Sequence, residues 1–146
     1  MATPLRFFIE GTDVSTLGCI TSWDGILSEG PINADIIEQD WRDGATYQQG
    51  RPKVYSFDVP LSFYTDVLSP ELADAITALA TIKTWRGPVL NVERRLPKRV
   101  GGVITTVREI AEAVLVSDLQ VRVQAGRFAS TTLIFQNLDG RWTQLV

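Results

Sequence analysis

Residues 54–64 carry the clearest hydrophobic pattern in the chain. Tyr55, Phe57, Val59, Leu61 and Phe63 alternate with Val54, Ser56, Asp58, Pro60 and Ser62. Period two with one apolar face predicts a half-buried strand over a core. Pro60 has no N–H for a ladder, so that strand belongs at an edge or at a bulge. A different period follows. Ser69 is a good N-cap, Pro70 suits the first helical position, and Glu71 suits the positive end of the dipole. Leu72, Ala73, Ile76, Leu79, Ala80 and Lys83 then recur at helical spacing, which predicts a helix over about 70–85 with that stripe buried. Gly87-Pro88 ends it.

The other segments read as strands and turns. Arg6–Glu10 and Leu17–Trp23 are short strand candidates, separated by Gly11-Thr12-Asp13. Val89–Arg95 predicts a strand, followed by a basic connection from Leu96 to Gly102. Val103–Ile110, Ala113–Ser117, the alternation around Leu119, Val121 and Val123, and Phe128–Phe135 are all strand-like. Ala125-Gly126-Arg127 and Asn137–Gly140 read as turns. Residues 26–53 fit neither period throughout. Ala34–Trp41 could form a strand, but the Gly, Pro, Asp and Gln around it predict a long extended loop or arm. The sum is a single mainly β domain over 1–146, a β-sandwich or split barrel of about eight strands with one lateral helix.

Composition changes this picture mainly by exclusion. The chain has 146 residues, 45% apolar and 21% charged, with no histidine and one cysteine. Those proportions are ordinary for a globular protein. Without histidine there is no Ser-His-Asp or Cys-His machinery and no imidazole metal ligand. One cysteine excludes disulfides within the chain and multi-cysteine zinc sites. In its apolar strand, Cys19 reads as a small buried hydrophobe. Asp35, Glu38, Asp40 and Asp43 lack the spacing of a calcium loop, and nothing forces them to converge as catalytic acids. Gly101-Gly102 is not followed by the lysine of a phosphate loop. No cofactor or metal and no enzymatic activity is expected. The start, Met1-Ala-Thr-Pro-Leu5, lacks signal-peptide character, and no run reaches the ~20 apolar residues of a span, so synthesis in a cytoplasm and no membrane partner are expected.

The net charge of −3 hides a split. Through residue 82 there are four basic and twelve acidic residues; from Lys83 onward there are ten basic and five acidic. No aromatic residue is interleaved between Arg94 and Arg108, so sequence-specific nucleic-acid binding is not expected. Opposite charge on two halves suits head-to-tail assembly. The candidate contact residues are Trp23 and Trp41 beside the arm, Tyr47, Gln48, Gln49 and Arg51 within it, and Arg94, Arg95, Lys98 and Arg99 in the basic half.

Three passages together resemble the N-terminal ring-forming domain of bacteriophage distal tail proteins, and related minor tail and tail tube proteins. They are Gly11–Gly18 running into Ile20–Gly25, Asp43-Gly-Ala-Thr-Tyr-Gln-Gln-Gly-Arg51 before the 54–63 strand, and Thr131–Phe135 with Asp139-Gly-Arg-Trp142. The resemblance covers most of the chain in the order of its elements. It implies a hexameric ring in the virion tail, with DNA passing through its lumen. The tail tube protein would lie on one side and the baseplate hub or tail-associated protein on the other. A tail tube or terminator subunit is the alternative within that class. The chain ends soon after the last β element, so the carbohydrate-binding-like second domain of many distal tail proteins is not expected. Outside that class stand a carbohydrate-binding β-sandwich using Trp23 and Trp41, and a hydrolase using the Asp35–Asp43 acids.

Overall fold

A computed structural model describes residues 5–30, 32–38, 45–64, 70–124 and 128–145. For 32–38, 45–52, 64, 70–72, 123, 124 and 128 it describes the backbone alone. The fold is mainly β with one main helix, as the hydrophobic pattern predicts. The strands are β1 (Arg6–Ile9), β2 (Thr12–Asp13), β3 (Cys19–Ile20), β4 (Ile32–Glu38), β5 (Ala45–Pro52), β6 (Tyr55–Tyr64), β7 (Val89–Val100), β8 (Val103–Leu115), β9 (Arg122–Gln124), β10 (Phe128–Asn137) and β11 (Thr143–Gln144). A single helical turn, α1 (Asp24–Leu27), precedes β4, and the main helix is α2 (Pro70–Thr84).

One sheet runs β2-β1-β7-β8-β10-β6-β3, with β11 added to β8 and β9 to β10. Four strand steps separate β1 from β6, about 19 Å in a flat sheet at ~4.8 Å per step. Yet the Phe7 ring on β1 lies 6.2 Å from Phe57 on β6 and 6.0 Å from Phe135 on β10. The sheet is therefore rolled until its inner surfaces meet. They face each other as in a sandwich, but the hydrogen-bonded path between them is continuous. A 3-10 turn at Val14–Thr16 carries the chain from the β2 edge to the β3 edge and spans the gap in the roll. Phe57 also stacks on Phe135 at 5.3 Å and meets Trp142 at 5.7 Å. This aromatic group forms the centre of the core, and Trp85 and Trp142 are both buried.

The strand over 54–64 forms as its alternation requires: Phe57, Val59, Leu61 and Phe63 are buried. Its carbonyl at Pro60 accepts from the Thr21 N–H at 3.1 Å. A residue's N–H and C=O point to the same side of a strand. The donor that proline lacks would thus face the side where two-residue β3 ends; β6 is not the edge strand expected, since β3 lies outside it, but the missing N–H falls where that short neighbour stops. Within α1, Gly25 approaches the Asp58 backbone of β6 so closely that a Cβ would overlap it.

Several expectations are corrected. Helix α2 buries Ala75, Ala78 and Ile82, whereas Ala73, Ile76, Ala80 and Lys83 of the expected stripe face outward. Apolar residues occur on every side of this helix, so pattern alone could not choose the face, and the two small alanines allow the closer approach to the sheet. Ser69 lies outside the described residues. Of the strand expected over 17–23, only Cys19–Ile20 pairs, with Ser62 and Leu61. Ile20 takes the inward position, which leaves Cys19 exposed rather than buried. The arm is not simply a loop: β4 and β5 pair antiparallel as a two-stranded sheet, with an irregularity between Asn33 and Asp35. The basic connection Leu96–Gly102 is also strand. It continues β7 to a two-residue turn at Gly101-Gly102, where φ values of 59° and 81° suit glycine. The turn expected at 125–127 lies outside the described residues.

Candidate assembly surface

Arg94 is inside the fold. It stands between Val92 and Leu96 on the inward face of β7 and is 3% exposed. Its guanidinium donates to the Ile26 carbonyl at 2.7 Å and to Glu29 at 2.6 Å. It lies 4.5 Å above the Trp142 ring and 3.3 Å from Glu109, which is 8% exposed. The Glu109 contact is one of charge without an aligned hydrogen bond, because that carboxylate oxygen has no hydrogen-bond partner among the described residues.

Tyr55 completes this cluster. Its hydroxyl donates to the Ser28 carbonyl at 3.2 Å and accepts from the Trp142 indole N–H at 2.8 Å. Burial raises the Tyr55 pKa from its ordinary value, against the smaller lowering effect of hydrogen bonds from Trp142 and Asn137. Gly30 abuts the Tyr55 ring with no room for a Cβ. Arg94 and Tyr55 together hold residues 26–30, where the chain enters the β4–β5 hairpin, and Tyr55 itself begins three residues after that hairpin ends. The cluster is a clamp at the root of the arm.

The outer face of β7 is charged but locally balanced. Glu93 receives hydrogen bonds from Arg95 at 2.7 Å and Arg108 at 2.6 Å, and Arg95 also covers the Phe8 ring at 4.1 Å. Burial acts to raise the Glu93 pKa, but the hydrogen bonds and charges of Arg108 and Arg95 outweigh it and lower the value. A depressed carboxylate stabilises the fold fully above its unfolded pKa, about 4.3 for Glu. That contribution disappears as pH falls through the folded value. Glu93→Gln is therefore expected to reduce the acid-side loss of stability below about pH 4.3, measured by urea unfolding at stepped pH. An unchanged acid limb would show that this triad contributes nothing.

Beyond Leu96 the β7–β8 hairpin leaves the roll. Residues 97–106 are exposed on both faces. Lys98 and Arg99 have no acidic partner among the described residues, and Arg99 donates to the Gly102 carbonyl at the turn. Val100 and Val103 pair across the tip at 58% and 63% exposure, with Ile104 beside them. In β8, the described pairings to β11 and β10 begin only at Glu109 and Ala113, so the edge over 103–107 pairs only with β7.

Of the sequence-predicted contact residues, Lys98 and Arg99 stand on this projecting tip. Arg95 is half-buried in the Glu93 triad, and Arg94 is enclosed, which removes it from any outer surface. Trp23 packs partly against the core. Trp41 lies outside the described residues. Tyr47, Gln48 and Arg51 occupy β5 register positions opposite Ile36, Asp35 and Asn33, with Gln49 between Gln48 and Arg51 along the strand. Sequence reasoning missed Val100, Val103 and Ile104. Their signal was present: two glycines between β-branched runs form a hairpin signature.

A cleft of about 600 Å³ between α2 and β3 is lined by Ser15, Thr16, Cys19, Asp74 and Thr77, among others, with Asp74 and Cys19 its titratable groups. Among the described residues no group of three or more Cys, Asp or Glu could hold a metal ion, and no helix is long and apolar enough to cross a membrane. No family model matches the chain, and none of the curated proteins does.

Proposed function

We propose that this protein is a structural subunit that assembles with copies of itself, as the hexameric distal tail ring of a long-tailed bacteriophage. The observation that carries this reading is the β7–β8 tip. Ten residues of strand and turn, 97–106, are exposed on both faces and include three large β-branched side chains. Free edges and uncovered apolar strands are hazards in a monomer and contacts in an assembly. The acidic first part and basic second part of the chain add a reason for unlike patches to meet. The resemblance of the three sequence passages supplies the phage setting. In that setting the ring lies in the virion tail, between the tail tube protein and the baseplate hub or tail-associated protein, with DNA passing through its lumen and no membrane contact.

Negative-stain microscopy with sedimentation equilibrium tests the reading. A ring with a central hole is expected, weakening between about 0.1 and 1 M salt as the Debye length falls from ~10 to ~3 Å. A protein that stays monomeric at every concentration, alone and with the tail tube protein, would sink it.

A further inference from the structure

The β7–β8 hairpin has two edges beyond the roll, and they differ. In β7 the Asn91 carbonyl accepts from the Glu10 N–H at 2.9 Å, so the odd-numbered residues of that strand turn their N–H and C=O away from β8. Pro97 is one of these. It removes an N–H that would face outward, and Lys98 and Arg99 follow it. Proline and charge of this kind keep a strand edge from pairing. In β8 the Arg108 carbonyl accepts from the Leu145 N–H at 2.8 Å, so the even-numbered residues turn theirs away from β7. Ile104 and Thr106 therefore direct two N–H and two C=O groups outward, with no partner strand among the described residues. Residues 103–107, Val-Ile-Thr-Thr-Val, contain neither proline nor charge. One edge of the hairpin is guarded and the other is open. The arm lacks a strand in turn. β4 and β5 pair with each other and with no other strand among the described residues. A two-stranded sheet is marginal in water, and a third strand gives it independent stability.

We infer that the open edge of β8 in one copy pairs with β4 of a second copy, so that the arm of the second extends the sheet of the first. The pairing satisfies the outward groups of Ile104 and Thr106 and supplies the arm with its third strand. Charge selects β4 over β5. β4 carries Asp35 and Glu38 and no basic residue, whereas β5 ends in Gly50-Arg51-Pro52, with a like charge and a missing donor. Once paired, β4 lies two strand steps, about 10 Å, from β7. That is about one Debye length at 0.1 M salt, so Asp35 and Glu38 attract Lys98 and Arg99 across β8. Two β4 strands would instead set acid against acid. Each copy offers one open edge and one arm, so the contact is head-to-tail and propagates until it closes as a ring or runs on as a filament. This inference rests on the assembly reading above and identifies the two strands that make the contact.

Amide hydrogen exchange, compared between dilute and assembled protein, tests it directly. On assembly, protection is expected at Ile104 and Thr106 and across residues 32–38 together. Protection at Ile104 and Thr106 without β4 would mean that another strand occupies the edge and would overturn the inference. Fast exchange at both in a protein that assembles would overturn this contact and leave the ring reading standing. Monomers at every concentration would overturn both. Substitution is the second arm. Thr106→Pro removes one outward N–H and leaves the bonds to β7 in place, so it is expected to weaken assembly at least about tenfold with little change in melting temperature. Thr106→Lys keeps the N–H but guards the edge with charge, and is expected to act in the same direction. Normal assembly by both variants would overturn the inference. Charge exchange identifies the partner. Lys98→Glu with Arg99→Glu is expected to weaken assembly, and adding Asp35→Lys with Glu38→Lys to the same chain is expected to recover most of that loss. No recovery, with the fold intact by circular dichroism, would exclude β4 as the occupant.

Discussion

Replacing Arg94 with alanine is expected to lower stability by about 3–5 kcal/mol, the range for breaking a buried ion pair. The guanidinium is enclosed, and four groups depend on it: the Ile26 carbonyl, Glu29, Glu109 and the Trp142 ring. Without it the Glu109 carboxylate remains almost fully buried with no countercharge. Glu29 is largely exposed and regains water, so most of the loss falls on Glu109 and the Ile26 carbonyl. Removing both charges separates this mechanism from simple loss of volume. Arg94→Met combined with Glu109→Leu is expected to restore most of the stability, because apolar residues of similar size can replace a buried pair. Urea unfolding of the three proteins gives the measurement. A double variant no more stable than Arg94→Ala would show that packing around Trp142 matters more than charge. If the clamp is lost, opening should begin at residues 26–30, and amide hydrogen exchange there should accelerate first.

Phe57→Ala is expected to be of similar size, about 3–5 kcal/mol, or roughly 10 °C in melting temperature. Phe57 contacts the rings of Phe7, Tyr55, Phe135 and Trp142, which come from both sides of the roll. Its removal leaves a cavity bordered by stiff aromatic rings that cannot collapse into it. Phe57→Leu should recover a large part of the loss by filling some of that volume. A loss below about 1 kcal/mol on thermal unfolding would mean that the two sides do not depend on each other through this ring.

These two residues differ in how far the sequence announces them. Phe57 lies on the strongest alternation in the chain, and its inward position follows from period two alone. Arg94 carries the same signal in disguise. It stands in phase with Leu90, Val92 and Leu96, and its partner Glu109 stands in phase with Val107 and Ala111. Charge led to an outward reading, although the phase of each strand pointed inward. The pairing of Arg94 with Glu109 is adjacent across the β7–β8 ladder, but its other partners are far away in sequence. Ile26 and Glu29 are more than sixty residues distant, and no local pattern encodes that approach.

The same division runs through the fold. The sequence alone determined that the protein is mainly β, where the principal helix lies, which residues of Tyr55–Phe63 turn inward, and that no histidine chemistry exists. These depend on short periods, caps and composition, which are local quantities. Only the tertiary structure decided which face of α2 is buried, because apolar residues surround that helix and the sheet selected its two small alanines. Tertiary structure also turned the basic connection into a projecting hairpin. Paired with β8, residues 97–100 continue as strand past the end of the roll, where no other element among the described residues covers them. The basic residues of β7 and β8 thus sort into the enclosed Arg94, Arg95 and Arg108 paired with Glu93, and Lys98 and Arg99 with no acidic partner among the described residues. All five carry the same sign, and packing determined what each one could meet.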